Sequence, residues 1–564
     1  MRKKAFLRSS TILFLILLLA SFLRLYQLGA FPVGFHSDEA SLGYNAYCLL
    51  KTGKDENNQF LPLYIDSFGD FRPAGYFYLL VPFIKILGLT EFTVRLPSAI
   101  FGVLTVLATY FLVKELFSNL ISQDFSILMS LLSSFLLAIS PWHINLTRAS
   151  SESSVAMFLA VISFLFFILG VKKTGTRFLG PALIFSVLSF FFYHSSRLFI
   201  PLLTFTVALI LQSQLRTRRL KFALFIVPLF SLLVAFLLIV FPGGGGRIDQ
   251  VSIFSHPEVQ LVLDEQIREE GVGANVFITR FFHNKLVNYF YKFSENYLAY
   301  FSGSFLFFSG GLPLRYRIPS SGLFYLWQAP FLILGVAFLL FERDIFAKIP
   351  LFWTLLGPVP AALTWEDVPN VQRSFFTVIG LIMILSFGIL KTGRFFRKKA
   401  LKQLYFPFLA IVGFYSFLAY SHQYYHHQKV HRPWYRDVGV KELITVITSV
   451  KSDYRRIFLT KAECDPYIFY LFYNKIEPAY YQQFSSSKSV NGWSFENLNF
   501  LAKDCPSDEA WPGNLYVDFG NCRIRKGTRL LKEIARPDGT VVYRLVVTCG
   551  PDEYCPGEKA KERR

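Results

Sequence analysis

Two carboxylates stand side by side, Asp38 and Glu39, in "GFHSDEASLGY" (Gly34–Tyr44), with His36 just ahead of them. The stretch follows a solid apolar run, "TILFLILLLASFLRLYQL" (Thr11–Leu28). Acids at the edge of such a run can start a helix, where the dipole favours negative charge in the first turn. They can also supply a general base in a dry pocket. Successive helical residues point about 100° apart, so both acids would rarely serve one atom, and the carboxylate pair of a retaining glycosidase is disfavoured. A single base needs a partner of another kind. Three isolated arginines offer one: Arg148 in "SPWHINLTRASSE", Arg197 in "YHSSRLFIP" and Arg373 in "TWEDVPNVQRSFF". Each could anchor at an interface or pair with Glu152, Glu366 or Asp367. Taken together they point to an anionic ligand, because a guanidinium grips phosphate bidentately and stays charged near apolar surface. A base on an acceptor hydroxyl, with arginines on a departing lipid phosphate, describes inverting glycosyl transfer.

The elements that must position these groups are membrane spans. The chain has 564 residues, 53% of them hydrophobic, with 64 phenylalanines in separated apolar blocks, and this marks a polytopic membrane protein. Blocks of adequate length give about eleven spans, near 11–28, 97–113, 126–141, 153–170, 178–193, 197–212, 222–241, 323–341, 349–363, 374–390 and 404–420. The first reads as an uncleaved span, because it is too long for a signal-peptide core and runs into Arg24 and Tyr26. The net charge of +20 is gathered in short connectors: Arg2–Lys4, "KKTGTR" (Lys172–Arg177), "RTRRLK" (Arg216–Lys221) and "KTGRFFRKKALK" (Lys391–Lys402). That is the positive-inside pattern, not the contiguous basic face of a nucleic-acid binder, so no nucleic-acid partner is expected. With the amino terminus cytoplasmic, an odd number of spans places the tail outside the cytoplasm.

Two outer loops are large, about 29–95 and 242–322, and both carry aromatic amphipathic stretches: "YFYLLVPFIKILGL" (Tyr76–Leu89) and "YFYKFSENYLAYFSGSFLFF" (Tyr289–Phe308). These read as helices lying in the membrane interface. The expected division is therefore a helical membrane domain, 1–420, and a small extracytoplasmic α/β domain, 421–564, whose segments alternate between helix and strand patterns. Cys464, Cys505, Cys522, Cys549 and Cys555 fall in that tail, where oxidation is permitted; five being odd, at least one lacks a partner there. "PGGGGR" (Pro242–Arg247) has no following Lys-Ser/Thr and reads as a flexible exit from a span, not a phosphate cradle. The spans themselves hold almost no ionisable side chains, which counts against a transporter or flippase with charged groups at mid-membrane.

Several stretches resemble the membrane GT-C glycosyltransferases: "FHSDEASLGYNAYCLLKTG", "SFGDFRPAGYFYLLVPFIKILGLTEFTVRLPSAIFGVLTVLATYFLVKELF", "ISPWHINLTRASSESSVAMFL", "YHSSRLFIPLL", "FSGSFLFFSGG" and "GLFYLWQAPFLILG". The likeness is to bacterial relatives of protein O-mannosyltransferases and of the aminoarabinose transferase that modifies lipid A, over roughly residues 10–395. The resemblance implies a polyprenyl-phosphate sugar donor, used on the outer face with inversion. It maps the catalytic acid to Asp38 with Glu39 in support, the second-loop pair to Arg148 and Glu152, and a donor-side group to Asp70 and Arg72. Where relatives carry histidine a few positions before the late-loop arginine, this chain has Asn370 ahead of Arg373.

Some GT-C enzymes use a metal, and His36 beside Asp38 could ligate one; no HxxxH or CxxC pair supports it, and no cofactor is otherwise implied. His143 and His194 read as interfacial hydrogen-bonding groups. The expected protein is thus a multi-pass glycosyltransferase of the cell membrane. It moves a hexose or pentose from a polyprenyl phosphate to a hydroxyl on an extracytoplasmic protein, glycolipid or wall polymer. The alternatives are an en-bloc oligosaccharide transferase, a lipid-linked sugar flippase and an inactive scaffold.

Overall fold

The computed structural model describes residues 2–548 apart from 119–121, 174, 216, 397–398, 485–491 and 525–526. The chain divides into two compact units, each discontinuous in sequence. The first comprises Met1–Tyr26, Tyr64–Gly75 and Ser98–Gln423. Its helices are α1 (Arg2–Leu25), most of α4 (Glu91–Leu116), α5 (Gln123–Ala138), α6 (Pro141–Arg148), α7 (Glu152–Lys172), α8 (Leu179–Phe190), α9 (Ser196–Leu211) and α10 (Arg218–Val240). After a run of shorter helices, α11 (Gly246–Val251), α12 (Glu258–Glu269), α13 (Val276–Phe282) and α14 (Lys285–Ala299), come α15 (Ala329–Leu340), α16 (Ile345–Leu356), α17 (Val359–Ala362), α18 (Thr377–Phe395) and α19 (Lys399–Tyr425).

All eleven expected spans fall on helices. Among the described residues, seven helices are long and apolar enough to cross a membrane, or eight if the bent pair α5–α6 counts as one span. The segments at 9–25, 176–190 and 326–340 are apolar but shorter. The span read at 126–141 is broken: α5 stops at Ala138, Pro141 opens α6, and the two are bent by 55°. Proline suits the first turn of a helix and cannot continue one. The stretch read as one interfacial helix, 289–308, is also divided, α14 ending at Ala299 and a separate π-helical turn occupying Ser304–Ser309. α19 continues to Tyr425, past the end expected at 420.

Packing in this unit relies on small residues, as expected where lipid gives helices no hydrophobic drive to associate. A Cβ on Gly388 of α18 would sit 2.0 Å from the carbonyl oxygen of Phe331, and one on Gly335 of α15 would sit 2.2 Å from that of Ile384. Serine hydroxyls join other pairs: Ser163 of α7 donates to the Ala182 carbonyl of α8 at 2.7 Å, and Ser186 meets Ser231 at 2.9 Å. At the connector after α7, Lys172 reaches the last carbonyls of α4, including that of Leu116 at 3.3 Å.

The second unit joins Gln27–Leu63 and Tyr76–Pro97 to Tyr424–Arg564. The compact division thus runs differently from a single cut at 420: most of the first large loop goes with the tail. Its sheet has six strands in the order β4 (Gly492–Phe495), β5 (Leu498–Leu501), β3 (Ile457–Thr460), β6 (Leu515–Phe519), β8 (Val541–Thr548), β7 (Thr528–Ala535). β3 runs parallel to both neighbours and the other pairings are antiparallel. The helices are α2 (Ser37–Thr52), α3 (Gly75–Leu87, from Tyr76 on), α20 (Val440–Val450), α21 (Pro466–Tyr473) and α22 (Pro478–Tyr481). α20 buries Val440, Leu443, Ile444 and Ile447, the one-face spacing of an amphipathic helix. α2 packs on α21 and α22, and Gly43 permits the approach, since a Cβ there would lie 2.5 Å from the ring of Phe472. Cys505 and Cys522 form a disulfide; Cys464 is a thiol, and Cys549 and Cys555 lie outside the described residues.

Candidate active site

In the first unit the charged groups collect around a small hairpin, β1 (Tyr64–Ser67) and β2 (Asp70–Pro73). Its two-residue turn, Phe68-Gly69, has positive φ at both positions, 59° and 81°, as the twist of a tight hairpin requires. The Asp66 carboxylate accepts from the Gly69 N–H at 2.8 Å and fixes the turn. "PGGGGR" packs directly on this hairpin. A Cβ on Gly243 would lie 3.3 Å from both Tyr64 and the Phe71 ring, and one on Gly246 would lie 3.1 Å from that ring. The segment read as a flexible exit is therefore a close-packed turn, with glycine demanded by contact on its outer side and by φ +85° at Gly243.

That turn delivers Arg247, absent from the sequence-derived candidates. Its Nη2 donates to Glu366 Oε2 at 3.0 Å and its Nε lies 3.5 Å from Asp70 Oδ1. Arg373 holds the same Glu366 oxygen at 2.8 Å through Nη2, while its Nη1 donates to Thr364 Oγ1 at 3.0 Å and to the Glu366 carbonyl at 2.5 Å. Asn370 caps the turn before it, its side chain accepting from the Arg373 N–H at 2.9 Å. Arg72, on β2, is ion-paired with Glu152 at the start of α7. Arg197 donates twice to the Phe190 carbonyl, meets His194 Nδ1 at 3.0 Å and lies over the Tyr64 ring. His194 Nε2 is 3.3 Å from the Phe71 carbonyl, so the ring bridges arginine and hairpin as a neutral imidazole. Burial, reinforced by the neighbouring Arg197, lowers its pKa to about 3. Burial also raises Asp367, against the pull of Arg373, and raises the Tyr193 hydroxyl, which feels Arg373, Glu152 and Arg247. Four arginines thus gather among four carboxylates, those of Asp70, Glu152, Glu366 and Asp367.

Arg148 stands apart from this group. Fully buried, it donates to the carbonyls of Leu23 and Tyr26 at 2.8 Å each, and so caps the end of α1. Arg24, also fully buried, does the reciprocal service, donating to Ala138 at 3.1 Å and to Leu137 at 3.4 Å at the end of α5. Asn145 is likewise committed internally, its carbonyl oxygen accepting from the Tyr420 hydroxyl at 2.5 Å.

Asp38 and Glu39 lie in the second unit, in the first turn of α2, and their side chains diverge as helix geometry demands. Glu39 is buried and forms a bidentate pair with Arg95, Nε–Oε1 and Nη2–Oε2 both 2.9 Å. It also accepts from the His36 N–H at 3.3 Å, which completes a capping box. Arg95 further holds the carbonyls of Leu28, Pro32 and Gly34 at 3.3, 3.1 and 2.6 Å. Asp38, by contrast, keeps its carboxylate 30% exposed, 3.5 Å from His36 Nδ1. That nitrogen accepts from the Asp38 N–H at 3.1 Å, so the ring is a helix cap in this arrangement. Among the described residues no group of three or more His, Cys, Asp or Glu side chains could hold a metal ion.

Residues 72–242 match the family described as dolichyl-phosphate-mannose-protein mannosyltransferase. The structure is similar along nearly its whole length to ArnT from Cupriavidus metallidurans, solved with undecaprenyl phosphate bound. The TM-score is 0.51 at 9% identity, over 97% of this chain and 98% of that one. It is also similar to the oligosaccharyltransferase AglB from Archaeoglobus fulgidus, solved with an inhibitory peptide and a dolichol-phosphate, with TM-score 0.50 at 12% identity over 91% and 69%. The fold is that of the GT-C glycosyltransferases. No curated protein matches the chain in sequence. The mannosyltransferase family match spans Arg72, Arg148, Glu152 and Arg197; Asp38, Arg247 and Arg373 lie outside it. Arg247 and Arg95 escaped the sequence reading for different reasons. Arg247 shares its loop with Arg268, Arg280 and Lys285, so it did not look solitary, while Arg95 sat at a span edge where a basic residue needs no explanation. The signal for Arg247 was the run of four glycines before it.

Proposed function

We propose that this protein is an inverting glycosyltransferase that moves a sugar from a polyprenyl-phosphate donor to an acceptor hydroxyl on the extracytoplasmic side of the membrane. The observation that carries the reading is the arginine–carboxylate cluster on the β1–β2 hairpin, where Arg247 and Arg373 share one oxygen of Glu366. A phosphate offers these guanidiniums more acceptor oxygens than the shared carboxylate does, and Arg72 and Arg197 extend the positive surface beside them. As the glycosidic bond breaks, charge grows on the leaving phosphate, and guanidiniums already fixed in place stabilise it more than they stabilise the intact donor. The base in this scheme is Asp38, which takes the acceptor proton; Glu39 holds the helix start. Asp70 and Glu152 orient the arginines. Arg148 supports the scheme from a distance, by fixing the end of α1. Both lipid-bound relatives by fold carry polyprenyl-type phosphates, which fits the same donor class.

The test uses purified protein in detergent with radiolabelled polyprenyl-phosphate hexoses and pentoses and crude envelope as acceptor. Wild type should release sugar from lipid and label an envelope component, and Asp38→Asn should lower turnover by about 10²–10⁴, the usual worth of a general base. Donor that binds wild type yet stays intact beside acceptor-rich envelope would sink the transferase reading in favour of lipid-linked sugar transport.

A further inference from the structure

The loop before α2 is clamped from two sides within the second unit. On one side Arg95 holds three of its carbonyls together with Glu39. On the other, the turn Pro433–Val438 of the tail closes on it so tightly that a Cβ on Gly34 would lie 2.4 Å from the carbonyl oxygen of Arg436 and 2.9 Å from Val438. Gly34 has φ +86°, which suits glycine alone. The tip of this turn is Asp437, itself buried and left-handed at φ +53°, and its Oδ2 accepts from the backbone N–H of Ser37 at 2.8 Å. Ser37 is the first residue of α2 and the neighbour of Asp38. The hydrogen bond satisfies an N–H that the helix cannot satisfy itself. The second N–H of the helix goes to His36 and the third and fourth to the His36 carbonyl, at 2.8 and 3.1 Å.

Asp437 is in turn set by the tail. Val440 N–H donates to its carbonyl at 3.3 Å as α20 begins, and Gly439 packs 2.8 Å (as a Cβ) from Val542 of β8. The half-buried Cys464 thiol and the buried Tyr543 hydroxyl, 3.7 Å apart, lie in its electrostatic neighbourhood.

We infer that Asp437 is a positioning residue for Asp38: by holding the Ser37 N–H it fixes the first turn of α2 and with it the aim of the proposed base. The inference rests on the transferase reading and deepens it, since it makes the tail part of the catalytic apparatus. A base displaced by about an ångström loses much of its effectiveness, so the effect falls on turnover and not on donor capture.

The left-handed backbone supplies clean variants, because asparagine and glycine both tolerate it. Asp437→Asn keeps a side-chain oxygen that can accept from Ser37; Asp437→Gly keeps the backbone and loses the acceptor. In the donor-transfer assay, Asp437→Gly should lower kcat about ten- to a hundredfold with donor KM within about twofold of wild type, whereas Asp437→Asn should retain at least a third of wild-type kcat. In an Asp38→Asn background, Asp437→Gly should cost little more, as there is no base left to aim. Full kcat in Asp437→Gly would overturn the inference while leaving the transferase reading intact. So would equal losses in the Gly and Asn variants, which would assign the effect to charge. An Asp437→Gly protein whose melting point and donor KM both collapse would mark a structural strut, and that too would refute a positioning role. Absence of transfer by the wild type would instead remove the reading on which the inference stands.

Discussion

Glu366 accepts from Arg247 and Arg373 at once, so either arginine can be removed without leaving that carboxylate unpaired. Arg373→Gln or Arg247→Gln should therefore fold, and should raise donor KM roughly ten- to a hundredfold, the worth of a hydrogen bond to a charged group at about 1.5–3 kcal/mol. Arg148→Gln should do the opposite. With the carbonyls of Leu23 and Tyr26 uncapped, the detergent-solubilised protein should melt earlier while the surviving fraction keeps its donor KM. Paired melting curves and donor titrations check both. The contrast shows how far residue types alone could be read. Solitary arginines near the ends of spans were visible in the sequence, but their chemical fate depends on whether a carboxylate or a helix end lies opposite, and that is a matter of tertiary packing. His194 belongs at this scale as well. Its pKa in the fold is about 3, below the ordinary value of about 6.5, so the neutral ring stabilises the fold fully above pH 6.5 and this contribution is lost as pH falls toward 3. His194→Gln can keep both hydrogen bonds without titrating. Between pH 7.5 and 5 its melting temperature should fall less than that of wild type; equal falls would show that the ring does not carry the pH dependence.

At the scale of elements, hydropathy blocks located the apolar helices, of which seven or eight among the described residues are long enough to cross a membrane. What the blocks could not show is where a span breaks: Ser140-Pro141 lies inside an apolar stretch, and only the proline and Arg24, which caps the end of α5, mark the bend. Nor could they show which glycines are contacts. α15 and α18 approach backbone to backbone at Gly335 and Gly388, whereas a Cβ on Gly180 of α8 would meet nothing within 4 Å. Gly388→Ala should therefore lower the melting temperature in detergent. Gly180→Ala should leave it unchanged or raise it, since alanine is the better helix former by about 1 kcal/mol. Similar behaviour of the two would mean the close approach is not what holds this helix pair.

At the scale of the whole molecule, composition and charge placement sufficed for a multi-pass membrane protein with a mixed α/β tail. The grouping of the first loop with that tail was not legible, because no local pattern marks a contact across hundreds of residues. The tail's disulfide closes a separation of 17 residues, and a loop of that size is worth about 3 kcal/mol by chain entropy. Cys505→Ser with Cys522→Ser should make the tail markedly more sensitive to protease, an effect that reduction of the wild type should reproduce. The discontinuity of the second unit also has a schedule written into it. The Tyr44 hydroxyl donates to the carbonyl of Ile476, 432 residues further on. At synthesis rates of about 5–20 residues per second, the face of α2 that carries Gly43 and Tyr44 waits roughly 20–90 s for the chain that will cover it. A nascent protein thus carries an unfinished surface through most of its own translation. A chain stopped anywhere before Phe472 never covers it, so late nonsense mutations should send the whole protein to quality control instead of yielding a bundle that lacks only its tail.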